Sequence, residues 1–545
     1  MLSFIEAKNK TIVGFNTGHH GGCAIMHKGK IVAVSEERIN RKKYSEGYIN
    51  SFLYCLKSLN IGVDDIDLFV SSSYHKRLPS NFSGCFEALG IFKSKFITVD
   101  HHLAHAYSSY FMSPFDKALV VVIDGLGNDS DTESYYVAEG LKMKKVGGNS
   151  KNRSVYKGIG RAYEAFTNFC GWSAQEAGKI MGLSAFGNDK YSKVELYDID
   201  DKVRVASRVE GKYYRASLNF IKKNKVNFGN IFSGFDNKDA AYFVQDRTEK
   251  IIIEIINRLY EKYKIEDLCL AGGVFLNSII NRKILEKTKV KRIFIPPCCD
   301  DTGQPLGNIL YGHHAYFGNK KRFAFKSPYL GKVYSNNDYL DVLEKKQDQF
   351  ILPYKVKCAD IGYRKYGNIE KITAKLLSKG KIIGWFQGAS EIGPRALGNR
   401  SILCAPYPKK MKDILNAKIK HREWFRPFAP AILRECLLDY FDLNVDSPFM
   451  LKVAMVKNRK VRNKISATLH IDGTARIQTV TKKMNGRFYD LIKCFYKFTN
   501  LPVLLNTSFN DSGEPIVETP KDAISMFCST PLDYLVLGDY LVWKK

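Results

Sequence analysis

The stretch Thr11-Ile-Val-Gly-Phe-Asn-Thr-Gly-His-His-Gly-Gly-Cys-Ala-Ile-Met-His-Lys-Gly-Lys-Ile-Val-Ala-Val34 consists of three short apolar runs separated by a polar glycine turn and a Lys-Gly turn. Such a pattern predicts an antiparallel meander of three strands. The same plan returns at Ala118-Leu-Val-Val-Val-Ile-Asp-Gly-Leu-Gly-Asn128 and continues through Glu133-Ser-Tyr-Tyr-Val-Ala-Glu-Gly140. Two such meanders in one chain predict a duplicated α/β domain.

Glycine turns follow the first strand of each predicted half, and they suit a nucleotide. Backbone N–H groups can approach a phosphate closely where no side chain stands in the way. The loop from Gly125 to Gly127 is one such turn. A third strand-turn-helix, Leu268-Cys-Leu-Ala-Gly-Gly-Val-Phe-Leu-Asn277, would give the close approach that an adenosine site uses. In this order the elements predict an actin-like ATPase architecture.

The composition of the 545 residues excludes several classes of protein. With 45% hydrophobic and 26% charged residues the chain can bury large cores, unlike disordered or collagen-like chains. Its length suggests three or four structural units, or two large lobes, at about 150 residues per domain. The apolar run from Ala118 to Ile123 ends after six residues at an aspartate, whereas a membrane-spanning helix needs about 20. We therefore expect no membrane span.

Localisation and partners are predicted from the N-terminus, the cysteines and the charge. The first residues lack the charged start, apolar run and small cleavage residues of a secretory signal. The 12 cysteines are scattered without a C-x-x-C pair, which predicts reduced thiols and a cytoplasmic protein. A formal net charge of +29 would attract a polyanion, but the lysines are spread along the whole chain, so nucleic acid is not the expected partner.

A change of pattern marks the boundary between two predicted lobes. From about residue 316 to residue 362, Gly, Asn, Asp and Lys are scattered without periodicity, and we expect domains at 1–355 and 356–545. The second lobe then begins with a helix, because apolar residues recur at helical spacing over 369–377, and a strand follows at 382–386.

Two histidines are candidates for holding a metal ion. The stretch Phe96-Ile-Thr-Val-Asp-His-His-Leu-Ala-His-Ala-Tyr107 predicts a strand that runs into a helix, with Asp100 as the N-cap. His101 and His105 would then share one face of the helix, the spacing at which two imidazoles can bind one metal ion. Histidines that pack in a core or lie at the surface can show the same spacing.

Two acidic positions follow predicted strands, namely Asp124 and either Asp300 or Asp301. Two His and two Asp form a set of nitrogen and oxygen donors that can hold a divalent transition metal and leave sites open for a substrate phosphate. An ordinary turn aspartate is the alternative at each position. The neighbouring Cys298 and Cys299 could be soft ligands, but we interpret them as buried residues at a strand end.

The second lobe carries arginines among glycines and prolines. The stretches are Gly384-Trp-Phe-Gln-Gly-Ala-Ser-Glu-Ile-Gly-Pro-Arg-Ala-Leu-Gly-Asn-Arg-Ser401 and Lys420-His-Arg-Glu-Trp-Phe-Arg-Pro-Phe-Ala-Pro430. Rigid turns that aim guanidinium groups inward suit bidentate contacts with phosphate. The small polar groups of His470-Ile-Asp-Gly-Thr-Ala-Arg-Ile-Gln478 and Leu505-Asn-Thr-Ser-Phe-Asn510 are expensive to bury unless paired. We therefore predict a polyanionic ligand in this lobe.

Taken in order, the motifs resemble those of the NodU/CmcH/TobZ O-carbamoyltransferases over nearly the whole chain. The matching stretches are Val13-Gly-Phe-Asn-Thr-Gly-His-His20, Glu36-Glu-Arg38, Val99-Asp-His-His-Leu-Ala-His-Ala106, Glu176-Ala-Gly-Lys-Ile-Met-Gly-Leu183, Gly272-Gly-Val-Phe-Leu-Asn277, Glu391-Ile-Gly-Pro-Arg-Ala-Leu-Gly-Asn-Arg-Ser401, Arg426-Pro-Phe-Ala-Pro430, Asp472-Gly-Thr-Ala-Arg-Ile-Gln478 and Asn506-Thr-Ser-Phe-Asn510.

The resemblance implies an α/β protein with a duplicated actin-like (ASKHA, TsaD-like) N-terminal domain and a YrdC-like α/β C-terminal domain. The C-terminal domain would use carbamoyl phosphate and ATP, with Mg²⁺, to form carbamoyl adenylate. The N-terminal domain would pass the carbamoyl group to a hydroxyl of a sugar or secondary-metabolite acceptor and release AMP. This domain would hold Fe(II) or another divalent transition metal as its cofactor.

The resemblance also assigns roles to single residues. The metal ligands would be His101, His105, Asp124 and Asp301. The catalytic residues would be His20, Lys179 and Arg476, with His20 assisting deprotonation of the acceptor. The adenylate would contact Gly125, Gly127, Gly272, Gly273 and Asn277. ATP and carbamoyl phosphate would contact Lys420, Arg422, Arg426, Ser508 and Asn510. Arg395 and Arg400 would either join this set or brace their loop.

Three positions depart from the family's usual pattern, and three other functions are alternatives. Gly21, Asn128 and Ala389 stand where charged residues are usual, which puts the identity of the acceptor in doubt more than the activation chemistry. One alternative is threonylcarbamoyl transfer to a tRNA nucleoside, and another is an actin-fold small-molecule kinase. The third is a catalytically silent scaffold or nucleic-acid-binding protein. A homodimer is compatible with the sequence, which does not fix the oligomeric state.

Overall fold

The computed structural model describes residues 10–72, 95–128, 131–149, 157–208, 236–344 and 360–545. The chain forms two compact units. The first unit extends to Phe325 but omits the segment Glu37–Lys43, and the second unit consists of that segment and Lys326–Lys545. The predicted domain boundary at 355/356 lies outside the described residues.

Two five-stranded sheets form the framework of the first unit, and they have the same strand order. The strands of the first sheet are β1 (Ile12–Asn16), β2 (Gly22–His27), β3 (Lys30–Ser35), β4 (Leu68–Ser72) and β5 (Phe96–Val99). Strands β1 to β3 form an antiparallel meander, and β4 and β5 extend the sheet in parallel from β1. Its order is therefore β3-β2-β1-β4-β5.

The second sheet repeats this order as β8-β7-β6-β11-β12. Its strands are β6 (Lys117–Ile123), β7 (Glu133–Glu139), β8 (Lys142–Gly148), β11 (Asp267–Ala271) and β12 (Arg292–Phe294). Between β8 and β11 the chain forms a separate small hairpin of β9 (Tyr197–Ile199) and β10 (Val205–Ser207). Strands β6, β11 and β12 are parallel, so their carboxyl ends meet at one edge. Both predicted meanders are present.

Eight helices of the described part of the chain connect or follow these strands. They are α1 (Glu36–Asn40), α2 (Ile49–Leu59), α3 (His101–Met112), α4 (Ile159–Phe169), α5 (Gly178–Leu183), α6 (Asn237–Tyr263), α7 (Ser278–Lys287) and α8 (Gln304–Tyr311). Helices α3 and α8 touch through their backbones, because a Cβ added at Gly307 would lie 2.0 Å from the carbonyl oxygen of Ala104. This close contact brings the loop before α8 beside the first turns of α3.

The second unit is built on one nine-stranded mixed sheet, ordered β13-β21-β20-β14-β15-β19-β16-β18-β17. Its strands are β13 (Ile361–Lys365), β14 (Ile383–Phe386), β15 (Arg400–Cys404), β16 (Ala429–Leu433), β17 (Lys452–Met455), β18 (Thr474–Val480), β19 (Val503–Ser508), β20 (Tyr534–Leu537) and β21 (Tyr540–Lys544). Trp385 and Phe386 are neighbours on β14 but belong to different apolar clusters, so both faces of the sheet are covered.

Helices cover both faces of this sheet. They are α9 (Asn336–Leu343), α10 (Ile369–Ser378), α11 (Lys410–Ile414), α12 (Leu437–Tyr440), α13 (Arg459–Lys464), α14 (Gly486–Thr499) and α15 (Pro520–Ser529). The predicted helix at 369–377 and strand at 382–386 correspond to α10 and β14 and are confirmed. The prediction of a mixed α/β protein is confirmed for the described residues.

Two expectations about the environment of the chain can be compared with the structure. None of the helices among the described residues has the length and apolar character needed to cross a bilayer. Nine described cysteines are free thiols, but Cys528 is disulfide-bonded. The prediction of reduced thiols is therefore wrong at Cys528, because spacing along the chain does not show which thiols meet in space.

Candidate functional site

A buried pair of histidines begins helix α3 in the first unit. The carboxylate of Asp100 accepts a hydrogen bond of 2.9 Å from the backbone N–H of Leu103 and caps the helix, as its position in the sequence predicts. The helix therefore starts at His101, which sets His101 and His105 one turn apart on the same face. Both side chains are fully buried.

Two aspartates face this pair from the carboxyl-end edge of the second sheet. Asp124 directly follows β6, and Asp301 lies in the 3₁₀ turn before α8. Nε2 of His101 lies 3.2 Å from Oδ1 of Asp301 and 3.3 Å from Oδ2 of Asp124. Nε2 of His105 lies 3.2 Å and 3.8 Å from the same two oxygens. We call these four residues the His–Asp cluster.

Backbone and amide groups hold the His–Asp cluster in position. The N–H of Gly273 donates to Oδ1 of Asp124 at 2.9 Å, which leaves Oδ2 for the histidines. The N–H of His101 donates to Oδ1 of Asn128 at 2.6 Å, and Nε2 of Gln304 donates to the carbonyl of His101 at 3.0 Å. The predicted turn at Gly272 and Gly273 therefore lies at the His–Asp cluster, and its backbone donates a hydrogen bond to the carboxylate of Asp124.

Opposite charges dominate the electrostatics of the His–Asp cluster. Burial alone would lower the pKa of His101, but Asp301 and Asp124 together raise it to about 10. Burial alone would raise the pKa of Asp124, but the two histidines hold it well below its usual range. The same histidines lower the pKa of Asp301, against burial and the charge of Asp124. Both carboxylates are therefore ionised and need positive charge beside them.

The four side chains have the donors and the spacing of a metal centre. One ligand atom from each lies within 4.8 Å of the others, so all four can reach a common point. With neutral imidazoles, two carboxylates balance the charge of a divalent ion, and the mixed nitrogen and oxygen set suits a transition metal. Nδ1 of His105 is buried and has no hydrogen-bond partner among the described residues. The residues fit the predicted metal.

The structure separates the two neighbouring aspartates that the sequence left as alternatives. Asp301 lies in the His–Asp cluster, whereas Oδ2 of Asp300 lies 3.6 Å from Nδ1 of His20. His20 thus lies beside the cluster, and its ring stacks on Tyr44 with centroids 5.3 Å apart. Closer still is His19, with Nε2 lying 3.3 Å from Oδ2 of Asp301 and a side chain 46% exposed. His19 is a functional candidate that the sequence analysis missed.

Two further residues that the sequence analysis missed, Arg161 and Glu164, lie beside the glycine turn that follows Asp124. A Cβ added at Gly125 would lie 2.8 Å from Oε1 of Glu164, so the absence of a side chain at residue 125 makes room for this carboxylate. Arg161, one turn earlier on α4, donates to Glu164 at 2.7 Å. Burial raises the pKa of Glu164, and the charge of Arg161 opposes that effect. Neither residue belongs to a motif, so only a helical-face pattern could have indicated them.

The other residues predicted to contact adenylate have structural contacts of their own. Lys179 forms an ion pair of 2.6 Å with Glu176. Asn277 caps α7 and donates to Gln245 at 2.7 Å. Gly272 has a φ of 98°, and a Cβ there would lie 2.0 Å from the carbonyl of Ile123. The backbone of Gly127 packs against the ring of His102. Their contacts with a ligand stay predictions.

The second unit contains a group of positive side chains close to one loop. Lys420 is 4% exposed, and its ammonium donates to the carbonyl of Ser508 at 2.9 Å and to Oδ1 of Asn510 at 2.5 Å. It therefore anchors the end of β19 and the loop that follows. Burial lowers the pKa of Lys420 strongly, and Arg422 and Arg426 lower it further.

Four arginines accompany this lysine. Burial lowers the pKa of Arg476, and so do the charges of the neighbouring Arg395, Arg422 and Arg426. Arg426 is paired with Glu423 at 3.7 Å. Within the described part of the chain, Lys420, Arg422 and Arg476 have no carboxylate within 4.0 Å. We call Lys420 and these four arginines the cation cluster.

An anionic ligand would relieve the repulsion within the cation cluster. Arginine stays protonated in proteins, so crowded half-buried guanidinium groups are unfavourable until negative charge is bound. Bidentate contacts with phosphate are the ones that this side chain favours. The cluster therefore has the chemistry of a site for a phosphorylated ligand, as the sequence predicts.

Arg400 differs from the cation cluster because its donors are used within its own loop. Its guanidinium donates to the carbonyls of Gln387 at 2.6 Å and Gly388 at 3.1 Å. It also lies 3.6 Å above the ring of Phe386. Of the two roles that the sequence left open for Arg400, the contacts favour bracing, whereas Arg395 lies with the cation cluster.

Comparison with known proteins assigns both parts of the chain to one family. Residues 75–310 match the family model described as carbamoyltransferase N-terminus, and residues 374–544 match the one described as carbamoyltransferase C-terminus. These two matches define an enzyme that transfers carbamoyl groups. The chain belongs to the carbamoyltransferase family.

Individual relatives extend over almost all of the chain. It is 32% identical to nodulation protein NolNO of Sinorhizobium fredii, over 97% of this chain and 80% of the relative. It is 25% identical to 3'-hydroxymethylcephem-O-carbamoyltransferase of Amycolatopsis lactamdurans, over 97% and 98% of the two chains. A crystal structure of full-length HypF aligns with a TM-score of 0.37 and 14% identity, over 57% and 56% of the chains, which is too distant to support a conclusion.

Proposed function

We propose that this carbamoyltransferase uses ATP and carbamoyl phosphate to carbamoylate a hydroxyl group, in two half-reactions carried out by its two units. The observation that carries the proposal is the crowded cation cluster of the second unit, in which Lys420, Arg422 and Arg476 have no carboxylate within 4.0 Å among the described residues. A relative named as an O-carbamoyltransferase supports transfer to oxygen.

The first half-reaction would take place at the cation cluster. Water releases phosphate from carbamoyl phosphate and leaves carbamate. A carbamate oxygen then attacks the α-phosphorus of ATP and displaces pyrophosphate, so that carbamoyl adenylate forms. Arg422, Arg426 and Arg476 would bind the phosphates and stabilise the charge that develops on them. A carbamate is a poor acyl donor because its nitrogen feeds the carbonyl, and AMP supplies a good leaving group.

The second half-reaction would take place at the His–Asp cluster. The acceptor hydroxyl attacks the carbonyl carbon, AMP leaves with its bonding electron pair, and the hydroxyl proton passes to a base. His19 and His20 are the residues beside the cluster that can take this proton, because both hold their ring nitrogens toward aspartates. A divalent transition ion held by the four ligands would polarise the carbamoyl or phosphoryl oxygens.

The finer description of the fold belongs to the same proposal. We interpret the two sheets of equal strand order as the two halves of an actin-like, TsaD-like domain. We interpret the nine-stranded unit as YrdC-like, with Mg²⁺ accompanying ATP. The acceptor would be a sugar or a secondary metabolite, in line with the cephem-directed relative and the nodulation proteins.

One experiment tests the proposal before any acceptor is known. The purified protein is incubated with ATP and magnesium, with and without carbamoyl phosphate, and AMP, ADP and pyrophosphate are separated. We expect AMP and pyrophosphate only when carbamoyl phosphate is present. ADP instead of AMP would favour a kinase, and absence of turnover in the presence of iron or other divalent metals would contradict the proposal.

A further inference from the structure

A short segment from the N-terminal part of the chain groups with the second unit. Glu37–Lys43 follows β3 but is compact with Lys326–Lys545. Its first arginine, Arg38, is 3% exposed, and its Nη2 donates to the carbonyl of Gly393 at 2.7 Å. Its Nη1 lies 3.8 Å from Oε2 of the fully buried Glu518. Arg38, the last residue of the motif Glu36-Glu-Arg38, therefore makes these contacts within the second unit.

The second arginine of the segment holds another part of the same unit. Nη1 of Arg41 donates to the carbonyl of Ile516 at 2.8 Å, and Nη2 donates to the carbonyl of Pro515 at 2.8 Å. The backbone of Arg41 has a φ of 62°, a conformation that residues other than glycine adopt rarely. Such strain persists only where the surrounding contacts fix the residue.

One contact leads to the loop that carries Arg395, and the other leads to the loop that Lys420 binds. Gly393, with a φ of 94°, forms the turn two residues before Arg395. The 515–516 turn is tied to Asn510, since Nδ2 of Asn510 donates to the carbonyl of Glu514 at 2.6 Å. Asn510 in turn accepts from Lys420. Displacing Arg38 would therefore affect the position of Arg395, and displacing Arg41 would affect the loop that Lys420 binds.

We propose that the segment Glu37–Lys43 is part of the anion-binding site of the second unit, with Arg38 as a positioning residue for the loop that carries Arg395 and Arg41 as one for the loop that Lys420 binds. Lys43 adds a further charge to the site. Burial, Arg422 and Arg426 lower the pKa of Lys420 most, and the charge of Lys43 lowers it further. The ligand class is a di- or triphosphate. The identification of this ligand as ATP rests on the proposed function, whereas the architecture of the site does not.

The test measures binding of inorganic pyrophosphate to the full-length protein by calorimetry, together with the KM for ATP in the AMP-forming assay. For Arg38→Met and Arg41→Met we expect about tenfold weaker pyrophosphate binding and an about tenfold higher KM, with a smaller change in kcat. Arg41→Lys should stay impaired, because one ammonium cannot bind both carbonyls in the geometry of a guanidinium. Lys43→Gln should weaken binding by about threefold.

A matched control is Arg487→Met. This arginine lies in the second unit and binds Glu370 and Asp539, each at 2.7 Å, and its replacement should leave pyrophosphate binding unchanged. Unchanged pyrophosphate affinity and KM in the Arg38 and Arg41 variants would overturn the inference. If the methionine variants fail to fold, the affinity of Arg41→Lys decides. Wild-type protein that binds pyrophosphate but forms no AMP would contradict the proposed function alone.

Discussion

Single residues of the His–Asp cluster give the most direct test of the metal site. Asp301 has both carboxylate oxygens beside histidines, whereas its neighbour Asp300 faces His20. We predict that Asp301→Asn lowers the affinity for a divalent transition metal by about 100-fold, because the amide removes one of the two negative charges. Asp300→Asn, the matched control, should bind metal as wild type does.

Metal content of both purified proteins, measured by mass spectrometry after identical reloading, checks this prediction. Equal loss of metal in the two variants would show that neither aspartate is singled out as a ligand. Retention of metal by Asp301→Asn would exclude it from the ligand set and would leave the geometry of the cluster to be explained by ion pairs alone.

Residues in the two clusters should affect different half-reactions. Arg476→Ala removes a guanidinium from the cation cluster, and we predict that it lowers the rate of AMP formation without acceptor by about 100-fold or more. His105→Ala should leave that rate within about threefold of wild type while it blocks carbamoyl transfer. Loss of AMP formation in His105→Ala would contradict the division of labour between the units.

At the scale of residues, the sequence predicted members of each cluster but not all of them. Asp124 and the two helical histidines were predictable, because strand ends and helical spacing determine where such side chains point. The choice between Asp300 and Asp301 was not, since a 3₁₀ turn directs adjacent side chains apart. His19 and Glu164 were missed because their partners, Asp301 and Arg161, are identified only by contacts.

Among the structural elements, the turn after β11 has a strict steric requirement. The Cβ of an alanine at Gly272 would lie 2.0 Å from the carbonyl of Ile123, and φ there is 98°. We predict that Gly272→Ala lowers the thermal midpoint of unfolding by about 6 °C. It should also weaken metal binding, because Gly273 would lose its hydrogen bond to Asp124.

Gly171→Ala is the control for that turn. Gly171 has a φ of 91° with open space around the added Cβ, so it tests backbone strain without a clash, and a loss of about 2 °C is expected. Equal losses in the two variants would mean that the close approach at Gly272 contributes nothing beyond its φ. Calorimetry of both proteins in parallel provides the measurement.

A buried carboxyl at the start of β7 makes helix α4 sensitive to pH. Glu133 accepts from the backbone N–H of Ile159 at 2.8 Å, at the first residue of the helix. Burial raises the pKa of Glu133 from 4.5 to about 7, although hydrogen bonds from Ile159 and Thr132 oppose this. Between these values the folded protein keeps the proton that the unfolded chain has lost, so stability should fall as pH rises from 4.5 to 7.

Replacing this carboxyl should flatten that dependence. We predict that stability of Glu133→Gln relative to wild type rises by up to about 3 kcal/mol over this pH range. Glu139→Gln on the same strand, where the side chain is 67% exposed, should follow wild type. Parallel denaturation curves at pH 5 and pH 7.5 measure the difference, and a constant difference between Glu133→Gln and wild type would contradict the raised pKa.

Elements were easier to predict than their arrangement. Alternation of apolar runs and glycine turns gave the meanders, and a capping aspartate gave the start of α3. Periodicity contains no information on which strands become neighbours after long connections. The parallel pairing of β6 with β11 and the backbone contact between α3 and α8 place the two halves of the His–Asp cluster together, and both depend on packing between distant segments.

For the whole molecule, the net charge of +29 should act differently from the cation cluster. Exposed lysines are screened by salt, whereas partly buried charges are screened much less. We predict that binding to tRNA falls by about 100-fold between 50 and 200 mM salt and equals binding to unrelated RNA. AMP formation should change by less than about threefold over the same range. Salt-resistant, selective tRNA binding in a filter assay would favour the nucleoside-modification alternative.

The division into units was only partly predictable. The stretch without periodicity, from about residue 316 to residue 362, includes the division at Phe325, but it did not locate the division, since we expected the boundary at 355/356. The assignment of Glu37–Lys43 to the second unit was not predictable, because arginines that bind carbonyl groups of distant loops look like ordinary surface residues in a sequence.

That segment has a consequence for how the protein is made. Translation produces Arg38 355 residues before its partner Gly393, and Arg41 475 residues before its partner Ile516. The segment must therefore wait while the intervening chain folds. A gene cut at the division between the units would also separate it from the fold that it completes, so the two halves are not interchangeable modules.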